Sequence, residues 1–148
     1  MAKEYTNIVL ADDDEDDRLF FTDAFNELKI NTKVATYNDG VELMDYLNID
    51  DCILPDILFL DLNMPRKSGK ECLEEIRNNN KFDDVAIAIY STSSSEDDIE
   101  NTFISGANIY IKKPNDFSLL KKVLSEVVTI NWQYHTSGLN KDNFLLRM

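Results

Sequence analysis

The sequence predicts an open, doubly wound α/β fold built on a parallel sheet, and two observations carry that prediction. Short apolar runs alternate strictly with segments of helical period, five of each along 148 residues. The runs are near-continuous in apolar character, as suits strands covered on both faces by crossover helices. Strict β–α alternation then selects a sheet wound in both directions from its middle.

The runs span 8–11, 33–37, 57–60, 86–90 and 109–111. Leu19, Phe20, Phe21, Ala24, Phe25 and Leu28 mark the first helix, and Val41, Leu43, Met44 and Leu47 the second. Leu73 and Ile76 mark the third, Ile99 and Phe103 the fourth, and Phe117, Leu120, Val123, Leu124 and Val127 the fifth. Asp14 with Asp17, and Ser95 with Asp98, have the spacing at which a short polar side chain starts a helix. Gly106 follows the fourth helix where a left-handed cap is wanted. There is no internal repeat and no low-complexity linker, so one domain over 1–131 is expected, followed by a tail over 132–148.

The formal charge is −13 and the pI about 4.3, a balance that repels phosphate backbones and argues against nucleic acid as a partner. No run approaches membrane-spanning length, and no basic segment precedes an apolar one at the N-terminus. Cys52 and Cys72 have no metal-ligand spacing and are too few for a disulfide framework, which suits a reducing cytoplasm.

In a doubly wound sheet the site lies at the carboxyl ends of the strands. After the first run come Asp12 and Asp13, within six consecutive acids. Asp61 follows the third, in the string Leu60-Asp61-Leu62-Asn63-Met64-Pro65; Ser91, Thr92 and Ser93 follow the fourth; Lys113 and Pro114 follow the fifth. Crowded carboxylates repel and protonate unless a cation joins them. Mg2+ prefers hard oxygen ligands and keeps several waters. Asp13, Asp61 and the backbone carbonyl of Asn63 can supply the protein share, with Asp12 reaching the ion through water. An ionised Asp61 can attack an activated phosphoryl group to form a mixed anhydride. The Lys113 ammonium and the Ser91 hydroxyl then offer charge and a donor to the transferring oxygens. Asp14 to Asp17 read as a solvated helix start, since acids favour helix N-termini.

This layout resembles the receiver domains of bacterial two-component response regulators, from about Asn7 to about Asn131. Asp12-Asp13, Asp61 with Pro65 and Gly69, Ser91-Thr92 and Lys113-Pro114 fall at that family's acidic pair, phosphoacceptor, turn, switch hydroxyl and lysine. Tyr110 falls at its switch aromatic. The resemblance implies a flavodoxin-like sheet of order 2-1-3-4-5 with five helices. It also implies Mg2+ as cofactor, and a histidine kinase or histidine phosphotransfer protein as donor. A cis Lys113–Pro114 peptide is implied too, and a Tyr110 ring that turns inward when Ser91 moves toward the phosphoryl group. Asn63 and Ser93 would flank the path of the water that removes it. The strings 92–99 and 106–111 look like the small regulators that partner cyanobacterial phytochromes. No effector is visible in the sequence, so output is expected through a changed protein–protein surface. The alternatives are relay of the phosphate, or self-association through the face of the fourth helix, fifth strand and fifth helix or through the tail.

A phosphatase of the haloacid dehalogenase type is a weaker reading. It needs a second Asp two residues after its nucleophile, where Asn63 stands. A flavin module would want a phosphate-cradling loop after the first strand, where acids stand instead. Trp132, Tyr134, Phe144, Leu145 and Leu146 make the tail apolar enough to expect docking rather than a free end.

Overall fold

Short polar side chains set where the helices begin. In the computed structural model, which describes residues 5–129 and the backbone of residues 145–146, Asp14 caps α1 (Glu15–Glu27) by accepting from Asp17 N. Asp39 caps α2 (Gly40–Leu47) in the same way, and Ser95 caps α4 (Glu96–Ile104). The fullest cap starts α3 (Gly69–Arg77), where Ser68 and Glu71 exchange side-chain to backbone bonds in a reciprocal box. α5 runs from Phe117 to Thr129. Gly106 adopts φ +104°, the left-handed conformation expected of a residue closing α4.

The strands are β1 (Thr6–Ala11), β2 (Thr32–Tyr37), β3 (Ile57–Leu60), β4 (Ala86–Ser91) and β5 (Ile109–Lys112), all pairing in parallel in the order 2-1-3-4-5. Among the described residues there is also a β6, Leu145–Leu146, pairing in parallel outside β5 with Tyr110 opposite Leu145. The five-strand plan therefore gains an edge strand from the tail; Trp132, Tyr134 and Phe144 lie outside the described residues.

Strand alternation divides the core. Ile8, Leu10, Ile57, Phe59, Ala88, Tyr90 and Ile111 face α1 and α5, where Phe21 meets Phe59 edge-on at 5.0 Å. Val9, Ala11, Leu58, Leu60, Ile87, Ile89 and Tyr110 face α2, α3 and α4. β3 and β4 are buried throughout, as their apolar runs require, but β2 is only half-buried because it is an edge. A guanidinium fastens the end of the sheet remote from the acids. Arg77 donates to the carbonyls of Phe82, Val85 and Gly106 and to Asn108 Oδ1, at 3.2, 2.8, 2.8 and 2.8 Å respectively.

Candidate functional site

The carboxyl ends of β1, β3, β4 and β5 converge because their ladders run on past the strands. Asp61 N donates to Ala11 O at 3.0 Å, and Lys113 N to Ser91 O at 2.8 Å. Asp12, Asp61, Ser91 and Lys113 thereby share one crevice. Gly69 makes the crevice floor possible. A Cβ at that position would lie 2.1 Å from the backbone oxygen of Asp61, so only glycine lets α3 start against the loop that follows β3.

Asp12 and Asp61 are buried and Asp13 is exposed, yet each offers a carboxylate oxygen within 4.8 Å of the others. This oxygen-only donor set, partly open to water, suits Mg2+, which takes few protein ligands and keeps part of its hydration shell. Without a cation, burial raises the Asp61 carboxyl to about 7; Lys113 opposes the rise and Asp12 adds to it. Burial likewise raises Asp12. Burial pulls the Lys113 ammonium down, but hydrogen bonds to Asp12 and Asp17 more than offset it and hold the lysine charged. Asn63 N lies 3.4 Å from Asp61 Oδ1, and its side chain is exposed at the crevice mouth. Lys112 points out to solvent while Lys113 points in, as strand alternation predicts.

The Lys113 ammonium sits 2.7 Å from Asp12 Oδ2, 2.8 Å from Asp17 Oδ2 and 3.6 Å from Asp61 Oδ2. It also lies 5.3 Å from the centre of the Tyr90 ring. Asp17 and Tyr90 are the two crevice residues that sequence reasoning missed. Asp17 reads in the sequence as part of a solvated helix start, and Tyr90 only as the end of the fourth apolar run.

Ser91 is wholly buried, and its Oγ accepts from Ser93 N at 3.1 Å. The Ser93 hydroxyl donates to Asp98 Oδ2 at 2.7 Å, which ties the loop after β4 to the first turn of α4. Tyr110 is wholly buried and donates its hydroxyl to Ser93 O at 2.9 Å. The expectation of a ring that starts outward and turns in is corrected here. The ring already occupies the inner position, where its hydroxyl bonds to the Ser93 carbonyl. The Lys113–Pro114 expectation is corrected as well, for no peptide bond among the described residues is cis. The trans form is the lower-energy isomer even before proline.

A cleft of about 220 Å³ opens beside the crevice between the β3–α3 loop and α4, lined by Asn63, Ser68, Lys70, Asp98 and Asn101 among others. No described helix is long and apolar enough to cross a membrane.

Comparison with known proteins agrees with this geometry. The family model for the response regulator receiver domain matches residues 8–125. The chain is 26% identical over 124 residues to the response regulator Rcp1 of Synechocystis sp., covering 81% of this chain and 84% of that protein. The crystal structure of the Mn(2+)-bound form of Rcp1 superposes with a TM-score of 0.75 at 25% identity, covering 84% of this chain and 93% of that one. The phosphorylated cyanobacterial phytochrome response regulator RcpA gives a TM-score of 0.76 at 28% identity, covering 92% and 97%.

Proposed function

The chain belongs to the response regulator receiver domain family, and from that membership we propose that Asp61 is its phosphoacceptor. The observation that carries the assignment is the Asp12–Asp13–Asp61 cluster with one ammonium set against it. An oxygen of Asp61 attacks the phosphorus of a phosphohistidine on a histidine kinase or histidine phosphotransfer protein. The new O–P bond forms as the P–N bond breaks, and the imidazole nitrogen leaves with the electron pair. Asp13, Asp61 and the Asn63 carbonyl would hold Mg2+, with Asp12 reaching it through water. When bound, the ion neutralises the carboxylates and offsets charge on the phosphoryl oxygens. Lys113 meets one of those oxygens, and the Ser91 hydroxyl reaches toward another. The chain so acts on itself alone, accepting and losing its phosphoryl group. Asn63 and Ser93 set the lifetime of that state by orienting the attacking water.

Ser91 and Tyr110 connect the phosphoryl group to the outer face of α4, β5 and α5. Ser91 gains a hydrogen bond only by moving, and that movement pulls on Ser93, to which both Ser91 and Tyr110 are bonded. A downstream protein, or a second copy docking through this face or the tail, reads the altered surface. The acidic charge and two free thiols support a cytoplasmic protein that binds no nucleic acid. Relay of the phosphate to another histidine is the alternative output.

The test is incubation with acetyl phosphate with and without Mg2+, followed by intact-mass measurement. Wild type gains one phosphoryl group only with Mg2+, and Asp61→Asn gains none. A phosphorylated Asn variant refutes the assignment. Ser91→Ala is expected to accept phosphate but to lose the change in partner binding; if binding responds as in wild type, the switch assignment fails.

A further inference from the structure

Three carboxylates surround the Lys113 ammonium, and the phosphoacceptor is the farthest of them. Asp12 and Asp17 lie at 2.7 and 2.8 Å, Asp61 at 3.6 Å. The ammonium's hydrogen bond goes to Asp17, while Asp12 Oδ2 is an ion-pair partner and Asp61 stands beyond both. Asp17 is held firmly for this task. Asp14 accepts from its backbone N–H at 3.1 Å, and the neighbouring Arg18 donates to Asp12 O at 2.8 Å, so the first turn of α1 is latched to the end of β1. Its carboxylate is 36% exposed, while the ammonium it meets is 9% exposed.

We infer that Asp17 is a positioning residue for phosphoryl transfer, holding Lys113 on the α1 side of the crevice and competing with the phosphoryl oxygens for it. The inference rests on Asp61 being the phosphoacceptor. Bringing the ammonium into contact with a group on Asp61 stretches its bond to Asp17. The state bearing a phosphoryl group is therefore opposed by one charge-assisted hydrogen bond. Asp17→Asn weakens that opposition, since an amide oxygen is a poorer acceptor for a cation than a carboxylate. The helix start survives this change, because the cap uses the backbone N–H of Asp17 and the side chain of Asp14.

The experiment titrates beryllium trifluoride into the full chain at saturating Mg2+, with bound fluorine read by 19F NMR. D17N is expected to saturate at about threefold lower concentration than wild type, the scale of a partly exposed ion pair. D16N removes the same charge from the same turn, at an exposed side chain, and is expected to match wild type. The 15N resonance of the Lys113 ammonium, recorded without beryllium, shifts in D17N and stays in place in D16N. Equal uptake by wild type and D17N overturns the inference, as does an unmoved Lys113 resonance. An equal gain in D16N also overturns it, by showing that general charge is the cause. A wild type that takes up no beryllium trifluoride overturns instead the phosphoacceptor reading beneath.

Discussion

The Tyr110 hydroxyl donates to the Ser93 carbonyl at 2.9 Å from a ring with no exposed surface. The ring thus lies behind β4 with its one polar atom satisfied by the loop that follows Ser91. In the proposed switch, what phosphorylation has to shift is this loop, tied at one side to Tyr110 and at the other to Asp98.

Tyr110→Phe keeps the packing and deletes the tie. Stability to urea is expected to fall by about 1 kcal/mol, the net worth of one hydrogen bond. Amide exchange at residues 93–95 is expected to quicken. Unchanged exchange there would show that the hydroxyl does not hold the loop.

Removing the metal should make stability depend on pH in a defined sense. The Asp61 carboxyl titrates near 3.8 when unfolded and is raised to about 7 in the fold, chiefly by burial. Between those values the native state keeps a proton that the unfolded state has lost. Stability of the metal-free chain therefore falls as pH rises from about 4 to about 7, then levels off. Asp61→Asn should flatten this decline and be the more stable protein at pH 7.5. Melting temperatures in chelator across that range measure it, and parallel curves for the two proteins would contradict it.

Asp13→Ala removes one member of a small oxygen cluster while leaving the buried core untouched. The Mg2+ concentration that half-protects the fold in a thermal melt is expected to rise at least about tenfold. An unchanged midpoint would show that Asp13 does not hold the ion.

Asn63→Ala is expected to slow loss of the phosphoryl group about fivefold, the scale of one hydrogen bond to a positioned water. Following decay by intact mass after removal of the donor tests this directly. Coincident decay curves would take Asn63 out of the lifetime assignment.

Gly69→Ala forces a methyl group against the Asp61 carbonyl, where the unshifted distance is 2.1 Å. We expect a loss of about 2–3 kcal/mol in urea unfolding, typical of overpacking. Phosphorylation at folded-protein conditions should slow, because the Asp61 backbone must move. Wild-type rates would show that the loop yields elsewhere.

Sequence reading reached the parallel strands because β1, β3, β4 and β5 hold apolar runs whose ends carry the chemistry, and the family resemblance supplied their order. Asp12, Asp61 and Ser91 were legible for the same reason, since each directly follows a run, and Lys113 because Pro114 and strand alternation mark it over Lys112. Ser68 and Glu71 were also legible, as a polar residue with Glu three on, but went unread. Asp17 was not. An acid in a first helical turn is explained by the helix dipole alone, and its partner Lys113 lies 96 residues away. β6 was hidden because two leucines define no period. The inward Tyr110 was hidden because burial in a strand says nothing of where a hydroxyl ends.

The Arg77 guanidinium gives the molecule a fulcrum. By bonding to Gly106 O it clamps the far end of α4, and by bonding to Val85 O and Asn108 it clamps the starts of the two neighbouring strands. The other end of α4 hangs from Ser93 and Ser95, across the cleft from Asn63. A helix of 9 residues is about 13.5 Å long, so a shift of about 1 Å at its Ser95 end swings it by about 4°. The helix is a lever pinned at one end. Any swing of α4 is then largest at its Ser95 end and shrinks to nothing at Gly106.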